Sequence, residues 1–151
     1  MPRFQYTRGI ESQDQILGLA EFEAFSEDPV QFTTSDGWVT RTNYPYTTAT
    51  KTAGDYIINH SSQVGMDFKE RNVGHRVRWR PGTSGTWIDL VEINNAVTRP
   101  DAFALRTGFN LINLASAGVF QVTVEFGQTD EGGEAKIQNS GITIAKVVPI
   151  T

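Results

Sequence analysis

Few residues in this 151-residue chain are of the types that do chemistry, and their spacing matches no catalytic motif. The chain has two histidines and no cysteine, which excludes a thiol nucleophile, a cysteine-ligated metal and a disulfide framework. His60 lies within an alternating apolar run and is interpreted as a hydrogen-bonded interior or interface residue, and His75 as a loop or edge residue. A Ser/His/Asp triad stays open, since its members come from distant positions, but nothing favours one. We therefore predict that the protein is not an enzyme.

Two groups of carboxylates have a spacing that could serve catalysis or metal binding. Glu21 and Glu23 would point the same way from one strand, roughly 6–7 Å apart, and a pair of carboxylates is what a glycosidase needs. Asp130, Glu131 and Glu134 could supply the oxygen ligands that Ca²⁺ prefers. A solvated strand face explains the first pair and a flexible turn the second group. We predict no metal and no cofactor, and keep a hydrolase on a β-sandwich as an alternative.

Three arginines, Arg76, Arg78 and Arg80, alternate with apolar residues and form a cationic stripe on one face of a predicted strand. Their planar guanidinium groups could bind an acidic patch on a partner subunit through paired hydrogen bonds. The ordinary interpretation is pairing across strands with glutamates of the same chain, such as Glu21, Glu23, Glu92 or Glu125.

Aromatic residues raise a different kind of site, in which rings stack on sugars. Trp38 and Trp87 follow turns, and with Tyr44 and Tyr46 they could form an exposed platform or pack in the interior or a trimer contact. Trp79 alternates with the arginines and is predicted to be buried. A carbohydrate- or receptor-binding module therefore stays open as an alternative function.

Alternation of apolar and polar residues predicts the elements that position these side chains. Eight to ten short strands are separated by turn sequences, and no segment has a convincing helical period. Such spacing is typical of an all-β, two-sheet antiparallel sandwich. In the segment LAEFEAF, Ala20, Phe22 and Ala24 are predicted on one side and Glu21 and Glu23 on the other, although a short helix would suit the same letters.

Two segments share a sequence pattern: TAGDYIINHSSQVG begins at Thr52 and SAGVFQVTVEFGQ begins at Ser116. Both place a small residue and Ala-Gly before an alternating apolar run. Because glycine adopts backbone conformations that other residues avoid, each Ala-Gly predicts a tight turn into a central strand. Two such turns predict matched strands, one in each sheet.

Length and charge limit the classes of protein and partner. Residues 1–14 are polar and aperiodic, so we predict an extended N-terminal arm (1–14) followed by one β-sandwich domain (15–151). The net charge of −4 argues against nucleic-acid binding. No run approaches the roughly 18 apolar residues of a membrane span, and no secretion signal is visible, so we expect no membrane partner.

Three segments resemble strands of the jelly-roll proteins found in tailed-phage virions: TAGDYIINHSSQV, FNLINLASAGVFQVTVEF and AKIQNSGITIAKV. The similarity covers roughly residues 36–148 and rests on a small residue, a glycine, an aromatic residue and an alternating run. It implies a jelly-roll-like fold and a homotrimer, and it places the alternative, a carbohydrate- or receptor-binding β-sandwich module, in a phage tail or fibre. Within that group, a single domain with an arm, and nine arginines against four lysines, favour a capsid decoration (cement) protein of a thermophilic tailed phage.

That resemblance implies trimers on the capsid exterior, made in the host cytoplasm, that bind the major capsid protein and stabilise the capsid by protein–protein contacts. The predicted contacts with the capsid are Arg3, Phe4, Tyr6 and Arg8 of the arm, together with Arg76, Arg78 and Arg80. The predicted contacts between copies are Val147, Val148 and Ile150.

Overall fold

The structure is a computed structural model that describes residues 19–67, 73–96, 102–128 and 133–148. All regular secondary structure in these ranges is β-strand, and the strands number ten. The expectation of eight to ten strands is therefore confirmed. The ten strands in chain order are β1 (Leu19–Glu27), β2 (Gln31–Thr33), β3 (Val39–Thr40), β4 (Tyr46–Thr47), β5 (Gly54–Asp67), β6 (Val73–Pro81), β7 (Ile88–Ala96), β8 (Ala104–Leu114), β9 (Phe120–Gln128) and β10 (Glu134–Val147).

The strands form two antiparallel, five-stranded sheets. Sheet 1 has the order β1-β10-β5-β8, and β2 also pairs with β10. Sheet 2 has the order β3-β9-β6-β7, and β4 also pairs with β9. Most sheet neighbours are distant in sequence, as in a jelly roll, and the prediction of an all-β, two-sheet antiparallel sandwich is confirmed.

The core lies between the two sheets and follows the alternation in the sequence. Tyr56 and Ile58 of β5 and Phe120 of β9 belong to this core, and all three side chains are fully buried. The Tyr56 and Phe120 ring centroids are 5.6 Å apart in an edge-to-face contact. Because side chains alternate between the faces of a strand, the residues between these core positions point away from the sandwich.

The two Ala-Gly turns lead into central strands, as the shared sequence pattern predicts. Gly54 has a φ of 141° and Gly118 a φ of 156°, in the region that side chains disfavour. Gly54 opens β5, which lies between β10 and β8, and Gly118 precedes β9, which lies between β6 and the short strands β3 and β4. The turns also meet, because the Lys51 amide donates to the Gly118 carbonyl at 2.8 Å and the reverse bond is 2.9 Å.

Strand β1 differs from its predicted orientation. Ala20 pairs with Lys146 but Glu23 pairs with Ile144, so β1 has one residue more than β10 over this stretch. This β-bulge includes Glu21, whose φ is 51°. An extra residue reverses which side chains face the core. The expected solvated face for Glu21 and Glu23 is therefore wrong: both carboxylates bond to groups along the rim of the sandwich, and Phe22 is 60% exposed.

Candidate interaction surface

The outward face of sheet 1, which we call the neutral face, carries an apolar row across its strands. Ile57 of β5 pairs with Leu111 of β8 on one side and with Ala145 of β10 on the other. The exposed Phe22 lies on the adjoining edge strand β1. The row thus spans four neighbouring strands, and Leu111 at its end is 64% exposed.

Edge strand β8 extends the apolar surface along its own length. Phe109 is 72% exposed and Leu105 is 62% exposed, and both share the outward side of β8 with Leu111. In the described part of the chain, β8 pairs with β5 alone, so these side chains stand at the margin of the sheet. Large exposed apolar patches on a folded domain usually mark a binding surface.

The remainder of the neutral face is polar without charge. The Asn59 amide donates to Thr143 Oγ1 at 3.2 Å, and the Gln138 amide donates to Gln63 Oε1 at 2.7 Å. Charged groups lie only towards its ends, where Asp55 accepts from Asn113 and Lys136 pairs with Asp67. Between those ends, the described outward residues of β1, β10, β5 and β8 include no ionisable side chain.

A depression of about 360 Å³ opens on the same face where β10 is irregular. Gln138 pairs with Gln63 but Gly141 pairs with Ser61, so β10 bulges between these two pairs. Gly141 has no side chain to fill the gap between β1 and β5. The depression is lined by Ala24, Phe25, Ser26, Asn59, His60, Ser61, Gly141, Ile142 and Thr143.

The outward face of sheet 2 is charged, and two of the three arginines of its stripe pair with acids of the same chain. The three arginines of the stripe point outward from β6, as predicted. Arg76 binds Glu125 at 2.7 Å, Arg78 binds Asp89 at 2.7 Å, and Arg80 donates to Gln121 at 2.9 Å. The expected pairing with Glu125 is confirmed, whereas Glu21 and Glu23 belong to the other sheet. A role for the stripe in binding the capsid stays a prediction.

Two tryptophans cover the ends of this arginine stripe. The guanidinium of Arg76 lies 4.4 Å from the centroid of the Trp38 ring, and that of Arg80 lies 4.3 Å from the Trp87 ring. Trp79 is buried in the core as predicted.

The two tyrosines of the proposed sugar platform lie elsewhere. Tyr44 is buried and Tyr46 stacks on Phe25, with ring centroids 4.9 Å apart. The structure therefore does not bring Trp38, Trp87, Tyr44 and Tyr46 together into one platform.

Glu21 and Glu23 are held by hydrogen bonds rather than placed around an open cleft. Glu23 accepts from the Tyr46 hydroxyl at 2.7 Å and pairs with Lys51. Glu21 accepts from the hydroxyls of Tyr56 and Thr52. Burial raises the pKa of each carboxyl, but these bonds outweigh it and hold the pKa of both below the ordinary value. Such anionic carboxylates fasten loop residues 49–52 to β1.

The two histidines face each other across the sandwich interior. Their ring centroids are 6.2 Å apart, the Asn110 side chain lies beside His60, and neither ring nitrogen of His75 has a hydrogen-bond partner among the described residues. His60 is interior as predicted. The prediction for His75 is wrong, because it lies within β6 and is 1% exposed. Burial lowers the pKa of His60, and burial with the nearby charges of His60 and Arg106 lowers that of His75 to about 3.

Only part of the predicted contact set falls in the described residues. Val148 is 40% exposed, and Val147 continues the outward side of β10 beyond Ala145, so both remain candidates for contacts between copies. Arg3, Phe4, Tyr6, Arg8, Asp130, Glu131 and Ile150 lie outside the described residues, as does the predicted boundary between residues 14 and 15.

Sequence reasoning missed Phe22, Leu105, Phe109 and Leu111 as surface residues. A usable indication was present in the segment FNLINL, where apolar residues occupy both alternation classes. Ile112 and Leu114 fill the core, which leaves Phe109 and Leu111 on the opposite face.

Within the described ranges, no group of three or more histidine, aspartate or glutamate side chains is arranged to hold a metal ion. The same ranges contain no helix of the length and hydropathy that crosses a lipid bilayer.

Comparison with known proteins finds similar structures but no similar sequence. No protein-family model matches the chain, and no curated protein matches it. Among solved structures, the chain is similar to one of the infectious bursal disease virus Gx strain, with a TM-score of 0.55 and 12% identity over 86% of this chain and 33% of that chain.

Two further structures align less closely. They are the D431N mutant VP2 protein of infectious bursal disease virus (TM-score 0.47, 8% identity, 87% of this chain and 37% of that chain) and Eiger TNF from S. frugiperda (TM-score 0.49, 13% identity, 86% and 95%). The chain spans about a third of the viral chains that it matches. It is a jelly-roll β-sandwich whose fold is similar to that of a chain of infectious bursal disease virus.

Proposed function

We propose that this chain is a virion structural protein that acts by binding alone: a homotrimeric decoration protein of a phage head. The observation that carries the proposal is the neutral face, where an apolar row crosses four adjacent strands without an intervening charge and its large side chains on the edge strands β1 and β8 are exposed. A jelly-roll sandwich similar in fold to a chain of infectious bursal disease virus supports it. An enzyme would instead need converging reactive groups, whereas Glu21 and Glu23 are bonded at the rim of the sandwich and the two histidines are buried in its interior.

The physical basis of such a function is burial of apolar area between subunits. Copies of a chain with a net charge of −4 repel each other, so they associate best through a face that carries no charge. The charged face of sheet 2 then stays available for the major capsid protein. In this arrangement trimers bound to the outside of the head would link neighbouring capsid subunits and oppose the pressure of packaged DNA.

The test is the mass in solution of the full chain and of two matched variants. We expect the natural chain to be a trimer by light scattering, and Phe109→Asp to raise its dissociation constant at least about 100-fold, on the order of 3 kcal/mol. Ile88→Asp is the control, because Ile88 is 47% exposed but lies on β7 of the other sheet. It should leave the mass unchanged.

Addition to phage heads that lack a decoration protein tests the rest of the proposal. We expect the natural trimer to bind such heads and raise the temperature at which they release DNA. A monomeric natural chain that binds an oligosaccharide would contradict the proposal and favour a carbohydrate-binding module.

A further inference from the structure

In a trimer with a three-fold axis, each contact joins two different surfaces. Each copy contacts the next copy through one of these surfaces and the previous copy through the other. The neutral face contains two such surfaces. One is the protruding edge of β8, and the other is the depression beside Gly141, which we call the socket. Resting on the trimer proposed above, we propose that Phe109 of one copy inserts into the socket of the next.

The side chain that would insert has the exposure and position that this contact needs. Phe109 is the most exposed of the large apolar side chains described, at 72%, and Leu105 and Leu111 flank it on the same side of β8. Together these three residues expose apolar area on the order of 300 Å². A standard interface buries about 800 Å² on each partner, so they would provide somewhat less than half of what the β8 side contributes.

The socket has the size and chemistry to receive a phenyl ring. Its volume is about 360 Å³, whereas a cavity of roughly 150 Å³ is enough for benzene. The hydroxyls and amide of Ser26, Asn59 and Thr143 line its rim without any charge. Phe22 and Ala24 extend the apolar surface on the β1 side, where a second copy's Leu111 could pack.

A second copy suits the socket better than a charged partner does. No ionisable group on the described rim could recognise an acidic or basic ligand, and His60 below it is buried. An uncharged, mainly apolar edge strand matches it, and the chain itself supplies such a strand in β8. The N-terminal segment is the competing occupant, so the experiment includes it.

Engineered disulfides test the contact directly, because the natural chain has no cysteine. Thr107 is exposed two residues from Phe109 on the same side of β8, and Ser26 is exposed at the socket rim. We expect the double variant Thr107→Cys/Ser26→Cys to form covalent trimers under mild oxidation. Each single variant should stay uncrosslinked, since like positions do not meet.

The outcomes separate this inference from the function on which it rests. A trimer in solution that forms no disulfide in the double variant overturns the contact and leaves the trimer standing. Covalent dimers of Thr107→Cys alone show that two β8 strands face each other, which also overturns it. A disulfide within one chain between Phe4→Cys and Ser26→Cys assigns the socket to the N-terminal segment. A monomeric natural chain removes the trimer itself.

Filling the socket gives a second test that keeps all apolar residues in place. A Cβ added at Gly141 lies no closer than 3.9 Å to other atoms, so the fold accepts a side chain there. Gly141→Leu should remain folded by circular dichroism and lose the trimer at concentrations where the natural chain keeps it. Gly141→Ala, the matched control, should remain trimeric. A trimeric Gly141→Leu variant would exclude the socket as the contact.

Discussion

At the scale of single residues, two histidines lie buried together in the interior. His75 has no hydrogen-bond partner among the described residues, and Arg106 lies near enough to disfavour a further positive charge on it. Both imidazoles are therefore held neutral, since an unpaired charge is costly in a buried site. The pair therefore packs as neutral rings at neutral pH and lowers the stability of the folded chain in acid.

The expected consequence is a loss of stability as the pH falls below 6.5. Below this pH both histidines are protonated in the unfolded chain but stay neutral in the folded chain. The reason is that folding lowers the pKa of both, to about 3 for His75. Above pH 6.5 the effect is absent. At pH 5, His75 alone should lower the free energy of unfolding by about 2 kcal/mol.

Urea unfolding between pH 7.5 and 5 measures this effect. The variant His75→Phe keeps a ring of similar size and removes the titrating group, so its unfolding free energy should depend less on pH. An equal pH dependence in both proteins would show that other groups are responsible.

At the scale of elements, two β-bulges decide which side chains the neutral face presents. The bulge in β1 turns Phe22 outward and brings Glu23 inward to Tyr46 and Lys51. The bulge in β10 falls at Asn139, whose φ is 49°, and creates the socket beside Gly141. Both irregularities are consequences of pairing between strands, since each depends on the residue count of the neighbour.

At one end of the neutral face, the backbone near Ala102 passes close to Gly65 of β5. The carbonyl oxygen of Ala102 would lie 2.3 Å from a Cβ at Gly65, so residues 102–103 cross β5 where only glycine fits. We expect Gly65→Ala to lower the free energy of unfolding by about 1–3 kcal/mol, because backbone atoms have to move. Thermal unfolding measures the loss, and Gly141→Ala, with ordinary 3.9 Å contacts, should show little change. Equal melting temperatures would contradict the close crossing.

At the scale of the whole molecule, the two outward faces differ in kind. Sheet 2 presents arginines paired with acids, as between Arg76 and Glu125, whereas sheet 1 presents uncharged rows such as Ile57 and Leu111. A protein with two such faces can use one to associate with its own copies and the other to meet a different partner. The difference between the faces can be measured through salt.

Self-association through the neutral face should resist salt. Raising NaCl from 50 to 500 mM should leave the trimer dissociation constant unchanged or lower it, because apolar burial is not screened whereas charge repulsion is. Sedimentation equilibrium at the two salt concentrations measures this. Association through the arginine stripe would weaken over the same range, and that result would point to the charged face instead.

The alternation of residues was sufficient to predict much of the fold. Val77, Trp79, Val122 and Val124 face the core as their spacing indicates, and both Ala-Gly turns lead into central strands. Each of these predictions depends on one strand or one turn at a time. A strand's period of two and the backbone freedom of glycine are local properties, so the sequence alone contains them.

Tertiary structure decided the face of β1, the burial of His75 and the surface available for partners. A bulge in β1 reverses the side on which Glu23 lies, and the residue that causes it can be counted only against β10. Leu111 and Ile112 are equally apolar, and only the position of sheet 2 makes one exposed and the other buried. The amino-acid sequence determined the strands, whereas the pairing between distant strands determined which residues remain exposed to bind.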